Sequence, residues 1–471
     1  MAVSSDLADL SATQLAPLYR ARAVSPVEVT QAVLARMARL EPLLCATWGD
    51  HAEAALAQAQ ASQARWAAGA PLGALDGVPV TLKEHIATQG VPQAQGCAAT
   101  DLKPAKEDAP PAARLREAGA IFVARTTMPD WGVLSSSLSS FHRLTRNPWR
   151  LDRNPGGSSA GAGVAAAVGY GPLHVGTDIG GSIRLPASWC GVVGFKPSQG
   201  RVPVKPPHTG RVAGPLARTV ADVAQAMAVL SLPDWRDATS LPPAALDWSA
   251  AQHPPEHLRG LRVGLWLEAG WGDALSPEVR EAVSAVAQAF EAAGAVVEPV
   301  VAPVCRRSMV EGLDVFWRMR AWLDYAKLPP ERQARVLPYL RAWLAPAQHA
   351  TAAQVFHGQA QMAVLRDAAV AATRPFDYVV CPVSPDVAFP VHQASPLDDP
   401  ERPFEHLAYT LPWNMSGQPA VALNAGWSAH GLPVGVQIVG RRHDDVGVLR
   451  MARLWECLRP AQRPWPQPDR A

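Results

Sequence analysis

No stretch of the 471-residue chain approaches the roughly 18 consecutive apolar residues that a membrane helix needs. The opening segment Met1 to Met37 lacks a basic run followed by an apolar one, so no secretory leader is expected. An excess of one charge is missing too: 43 Lys and Arg against 41 Asp and Glu leave a net charge of +2. That balance argues against nucleic acid or an anionic membrane as partner. The six cysteines (Cys45, Cys97, Cys190, Cys305, Cys381, Cys457) show no CxxC spacing. Reduced thiols in a cytoplasmic protein follow, with neither a disulfide framework nor a zinc site. There is no internal repeat, and no low-complexity tail beyond a Pro-rich end. What the chain does hold is 48% apolar and 18% charged residues, 45 prolines and 16 tryptophans. This suits a soluble protein with a large core, and the prolines mark turns because apolar periodicity resumes between them.

Length alone allows two or three ordinary domains or one large α/β unit. Residues 11–19 and 26–40 read as amphipathic helices, the second with Ser25 as N-cap and Pro26 at its first position. Helix is expected again over about 50–68, 109–118, 221–230, 276–293, much of 303–372, and 444–457. Strands are expected at 78–83, 120–124, 175–178, 191–195, 261–268, 295–300 and 376–383. Residues 420–424 and 434–439 read as a hairpin. The alternation implies βαβ units and a sheet covered by helices on both faces.

The densest signal runs from Pro155 to Pro197, with two Gly-Gly-Ser steps, Gly156-Gly157-Ser158 and Gly180-Gly181-Ser182. A phosphate cradle would need Gly-Lys-Ser/Thr or a spaced GxGxxG after a strand, and neither is present. Gly157 to Gly161 satisfies G-x-S-x-G, but the nucleophile elbow needs a strand directly before it. Here Asn147 to Pro155 supplies two prolines and a run of charged and amide residues, so the match is accidental. A third reading joins the serines to a distant base. A serine hydroxyl needs an adjacent base, and a lysine serves only where burial depresses its pKa. Lys83, closing the apolar run Val78 to Leu82, sits where such burial is plausible; taken alone, a surface lysine at a strand end is the commoner case.

The combination of motifs resembles the amidase signature family. Its core is Gly156 to Gly161, then Gly176-Thr177-Asp178-Ile179-Gly180-Gly181-Ser182-Ile183-Arg184-x-Pro186, then Cys190-Gly191-x-x-Gly194-Phe195-Lys196-Pro197. Gly77 to Val80 with Lys83, Thr127-Met128-Pro129, Thr145 to Trp149, Asn414-x-x-Gly417-x-Pro419-Ala420 and Gly431-Leu432-Pro433-x-Gly435-x-Gln437 extend it over nearly the whole chain. The resemblance implies one large α/β domain over 1–471, with a central twisted mixed sheet covered by helices on both faces. Within it lie N-terminal helices over 1–68, a signature core over about 75–200, and a variable helical pocket or lid region over about 303–372.

It further implies a Ser–cis-Ser–Lys triad that needs no cofactor and no metal. Ser182 would attack, Ser158 would relay the proton, and Lys83 would accept it. The backbone N–H groups of Ile179, Gly180, Gly181 and Ser182 would form the oxyanion hole. Asp178 and Arg184 would support the loop, and Ser159 would support the lysine by hydrogen bonding from one layer further out. Ala160 and Ala162 depart from the usual glycine and serine, and Asn154 from a small or β-branched residue; none is a triad position.

Trp131 and Gly132 are the substrate-pocket candidates, and the aromatic 303–372 region (Trp317, Trp322, Tyr325, Tyr339, Trp343, Phe356) is expected to form wall and lid. For any single one of these rings helix packing is the plainer reading; together they favour an apolar or aromatic substrate. The expected activity is hydrolysis of a small-molecule amide, extending to esters or carbamates such as urethane- or nylon-oligomer-type compounds. The alternative is the glutaminase subunit of a tRNA-dependent amidotransferase complex; a catalytically inactive scaffold is a third reading, which the intact triad opposes. A homodimer is compatible with all three.

Overall fold

The capping signals in the sequence act where they stand. Ser11 and Ser25 each accept from the backbone three residues on and close a capping box, opening helices Ala12–Arg20 and Pro26–Leu44. Helix Ala52–Ala67 follows. The computed structural model describes residues 6–49 and 51–468. Asp50, where the helix expected over about 50–68 begins, and the ends 1–5 and 469–471 of the expected 1–471 domain lie outside those residues.

Among the described residues, eleven strands build one mixed sheet. They are β1 (Thr47–Trp48), β2 (Pro79–Lys83), β3 (Ile121–Thr126), β4 (Leu173–Asp178), β5 (Val193–Lys196), β6 (Val212–Ala217), β7 (Arg262–Leu265), β8 (Val296–Pro299), β9 (Tyr378–Pro382), β10 (Ala420–Trp427) and β11 (Pro433–Gly440). Their order is β1-β3-β2-β4-β6-β5-β10-β11-β9-β7-β8. Strands β3, β2 and β4 run parallel, as do β8, β7 and β9, while β6, β5, β10 and β11 join these groups through antiparallel pairs.

Side chains alternate across a strand, and here successive residues enter different cores. Val421 and Leu423 join one apolar cluster with helices Val220–Leu230, Pro277–Ala292 and Asp445–Leu458. Ala420 and Ala422 join the other, with helices Ala160–Val168 and Arg184–Cys190. A sheet covered on both faces favours apolar residues at successive positions, which is why strands such as β9 and β11 read as mostly apolar runs.

Among the elements absent from the expected list are β1, helix Leu411–Met415 and the following three. Helix Ala160–Val168 is buried all round, so its Ala and Gly residues show no amphipathic stripe. Helix Arg184–Cys190 carries Pro186 in its first turn, where a proline costs no intrahelical bond. Strand β6 contains Gly214-Pro215, a step that reads as a break in sequence. The 303–372 region is helical as expected, in helices Arg307–Tyr325, Pro330–Gln333, Pro338–Leu344 and Ala352–Thr373. Among the described residues all six cysteines are free thiols, and no helix is long and apolar enough to cross a membrane.

Candidate active site

Parallel strands β2 and β4 end at one edge, the position where open α/β sheets present loops to ligands. Lys83 closes β2 and is fully buried. Its Nζ lies 2.7 Å from Ser158 Oγ and 3.3 Å from Thr177 Oγ1. Burial pushes its pKa well below the ordinary 10.5, and the positive charge of Arg211 adds to the shift, against the pull of Asp178 and Glu84. The amine that meets Ser158 is therefore held toward its neutral, proton-accepting form.

Ser158 follows Gly157 through a cis peptide bond. A Cβ on Gly157 would stand 2.3 Å from the Ser136 carbonyl oxygen, so the backbone here passes too close for any side chain. The next N–H, that of Ser159, donates to the Ser182 carbonyl at 3.1 Å and ties the two serine loops together.

One expectation needs correction and one takes definite form. Ser159 reaches the lysine at one remove: its Oγ donates to the Thr177 carbonyl at 3.2 Å and accepts from the Thr177 N–H at 3.3 Å. It thereby fixes Thr177, whose hydroxyl meets Lys83. Gly181 does not offer its N–H to the cavity, because that group donates to Asp178 Oδ1 at 2.8 Å. Ile179, Gly180 and Ser182 remain, and no acceptor takes their N–H groups among the described residues.

Asp178 shapes this loop. Besides Gly181, its carboxylate accepts from the Ile183 N–H at 3.1 Å and from Arg184 Nε and Nη2, both at 3.0 Å. Burial alone would push the carboxyl up, but Arg184 and Asn414 outweigh it and hold it well below the usual carboxylate range. Arg184 is fully buried and also donates to the Thr410 carbonyl, Gln437 Oε1 and Asn414 Oδ1, at 2.9, 3.0 and 2.6 Å. The loop carrying Ser182 is thus pinned to the C-terminal third of the chain.

Ser182 opens onto a cavity of about 510 Å³, beside Ile179 and Gly180. Trp131 and Gly132 are among the residues that line it. A Cβ on Gly132 (φ +71°) would meet Met128 Cε at 3.0 Å and Ser158 Oγ at 3.4 Å, so glycine here leaves Ser158 room. From the helical region Trp317 and Trp343 reach the cavity, both edge-on to Phe404. The other four rings do not line it: Trp322 packs on Tyr325, Tyr339 donates to the Asp399 carbonyl at 2.9 Å, and Phe356 is 73% exposed. Cys305 is buried, its thiol pushed up to about 12 by burial.

Sequence reading missed Thr177, Thr410, Phe404, Leu407 and Arg320. Gln437 had a visible signal, an amide inside the apolar strand Val434 to Val439. Asn154, the departure noted above, proves to be a hub: its Oδ1 accepts from the Ser137 and Gly156 N–H groups at 3.2 and 3.0 Å, and its Nδ2 donates to the Val391 carbonyl at 3.2 Å.

A profile of the Amidase family matches residues 28–449. The chain belongs to the amidase signature family. It is accordingly a hydrolase of carbon–nitrogen amide bonds. Among curated relatives it is 34% identical to a glutamyl-tRNA(Gln) amidotransferase subunit from Roseiflexus sp. (strain RS-1), covering 92% of this chain and 93% of that one. Among solved structures it is similar to a bacterial aryl acylamidase of the amidase signature family, with TM-score 0.88, 28% identity and 96% of each chain covered. It is also similar to 6-aminohexanoate cyclic dimer hydrolase, with TM-score 0.87, 26% identity, and 99% and 100% of the two chains covered.

Proposed function

We propose that this amidase-family protein hydrolyses small amides through an acyl-enzyme on Ser182. The observation that carries the reading is the buried Lys83 amine 2.7 Å from Ser158 Oγ, whose loop is bonded to the Ser182 loop that lines a 510 Å³ cavity. Ser182 Oγ attacks the amide carbonyl; its proton passes to Ser158 Oγ as the Ser158 proton passes to Lys83 Nζ. The N–H groups of Ile179, Gly180 and Ser182 meet the oxyanion, where one donor is worth roughly 100- to 1000-fold in rate. Collapse breaks the C–N bond, and the amine leaves with the proton returned from Lys83 through Ser158. Water then attacks the ester by the same relay, releasing the acid and restoring Ser182. Trp131, Trp317, Trp343, Phe404 and Leu407 give the cavity a partly apolar lining, which suits aryl and alkyl amides, and the same attack would open esters or carbamates.

The test is mass spectrometry of the protein quenched during turnover of an anilide. An acyl mass should appear on the peptide containing Ser182 and be absent from Ser182→Ala, with activity lost by at least about a thousandfold. A Ser182→Ala protein that keeps most of its activity overturns the assignment.

The amidotransferase relatives favour a second reading, a glutaminase that works in a complex. The cavity also holds Arg320 and Asp324, opposite charges on one helix that suit an amino acid. Glutamine hydrolysis that appears only with a partner subunit, with no anilide turnover by the chain alone, would select this reading.

A further inference from the structure

The loop that carries Ser182 has little in its own sequence to hold it still. Gly180 and Gly181 stand side by side before the nucleophile, and Gly181 has φ +130°. With no Cβ on either residue the peptide that joins them turns easily, and the N–H groups of Gly180 and Ser182 on its two sides turn with it.

Tertiary bonds hold that peptide instead. A trans peptide points its C=O and N–H in opposite directions, and both ends of this one are taken. The Gly181 N–H donates to Asp178 Oδ1 at 2.8 Å, and the Gly180 carbonyl accepts from Thr410 Oγ1 at 2.6 Å. Thr410 is fully buried and 230 positions further along the chain. It stands at the N-cap of helix Leu411–Met415, where a threonine hydroxyl ordinarily accepts from the first turn, yet its side chain makes no cap bond. The other acceptor near the hydroxyl, the Leu407 carbonyl at 3.4 Å, lies beyond the usual O–H···O range. A Cβ on Gly181 would stand 2.8 Å from Thr410 Oγ1, so glycine there leaves the hydroxyl its path to the Gly180 carbonyl. Thr410 is itself anchored: its N–H donates to the Leu407 carbonyl at 3.0 Å, and its carbonyl accepts from Arg184 Nη1 at 2.9 Å. Gly180 and Gly181 are buried in this grip, while Ile179 and Ser182 on either side are partly exposed.

We propose that Thr410 is a positioning residue for the oxyanion hole. Its hydroxyl fixes the rotation of the Gly180–Gly181 peptide and so aims the N–H groups of Gly180 and Ser182 at the oxygen that gains charge. The proposal rests on the amidase reading of Ser182. The aim of these donors matters most once the carbonyl has become tetrahedral, so loss of the hydroxyl falls on the chemical step and not on substrate binding.

Thr410→Val exchanges the hydroxyl for a methyl group of similar size, and Thr410→Ser keeps the hydroxyl. In Thr410→Val, kcat for a 4-nitroanilide should fall roughly tenfold or more while KM stays within about twofold. Thr410→Ser should recover most of the rate. Phenylboronic acid supplies a readout that a merely structural role would not move. Ser182 Oγ bonds to its boron, the Ser182 proton passes through Ser158 to Lys83, and the tetrahedral boronate sets an oxygen among the N–H groups. Its inhibition constant should rise by the factor that kcat falls, while the affinity for benzamide, which stays planar, is unchanged. Thr410→Ala takes the place of Thr410→Val if the valine variant does not fold. An unchanged kcat, a boronate affinity that does not follow kcat, an equal loss of benzamide affinity, or a Thr410→Ser protein as slow as Thr410→Val overturns the proposal. The underlying reading fails differently: Ser182→Ala protein that keeps its activity, or binds the boronate undiminished, misassigns the nucleophile. If Ser182→Ala loses both and Thr410→Val keeps both, only the role of Thr410 falls.

Discussion

A lysine ammonium at the position of Lys83 gives up its water, and it meets only hydroxyl oxygens at hydrogen-bond distance, not a carboxylate. The cost falls on the charged form, so the same burial that makes Lys83 a usable base also taxes the fold. The sign follows from linkage. Below 10.5 the unfolded chain binds a proton at this lysine that the folded chain sheds, so stability rises with pH until both states are neutral. Lys83→Met keeps the length of the side chain and removes the amine. Amide hydrolysis should fall by several orders of magnitude while the thermal midpoint at pH 7 stays level or rises. Any gain in midpoint should shrink at pH values toward 10. Differential scanning calorimetry across pH, beside initial rates, checks both halves; near-normal rates in this variant would remove Lys83 from the mechanism.

The short helix Arg184–Cys190 and the loop before it owe their shape to a buried ion pair rather than to local propensity. Arg184 joins Asp178 to Thr410, Asn414 and Gln437, residues more than 220 positions away. Removing one partner of such a pair strands a charge, at a cost of about 3–5 kcal/mol. Arg184→Met should therefore lower unfolding stability by about that much in urea titrations. With Arg184 gone, its largest opposing charge is lost and burial raises the Asp178 pKa against only Asn414, Lys196 and the loop N–H groups. The loss should then be larger at pH 8 than at pH 5, where the carboxyl can bind a proton; an equal loss at both would refute this account. The same element marks the limit of sequence reading. Strands β2, β3 and β9 are legible because a sheet buried on both faces writes an apolar run, and the Ser-capped helices because their caps lie within four residues. Lys83, Ser158 and Ser182 stand out through motif resemblance. The roles of Thr177, Thr410 and Arg320 do not, because they depend on which segments the fold brings together across 90 residues or more, and no local period encodes that. Gly181 shows the converse: its motif position suggested an oxyanion donor, and one carboxylate upstream redirected the N–H.

At the scale of the molecule, the hairpin of β10 and β11 lies in the middle of the sheet although it comes near the end of the chain. It pairs with β5 on one side and β9 on the other, so it holds six strands of the N-terminal portion to the three-stranded group β9-β7-β8. Its residues Val421, Leu423, Val436 and Ile438 are fully buried, each worth about 1.5–3 kcal/mol when removed from water. Ending the chain at Phe404 would split the sheet, open both cores and take every long-range partner from Arg184. Such a chain should show no cooperative thermal transition, and no amide hydrolysis even though Lys83, Ser158 and Ser182 are all present. Ending it at Pro460 is a different experiment. That cut removes only a tail whose Arg463 lies over Trp427 and whose Trp465 lies under Arg218, at 4.8 and 4.7 Å to the ring centroids. The first contact is at the surface and the second half-buried, so they contribute about 0.5–2 kcal/mol each, and the midpoint should fall by only a few degrees with activity kept. A chain ending at Phe404 that still unfolds cooperatively, or one ending at Pro460 that collapses, would show that the sheet is not the single unit that holds the site together.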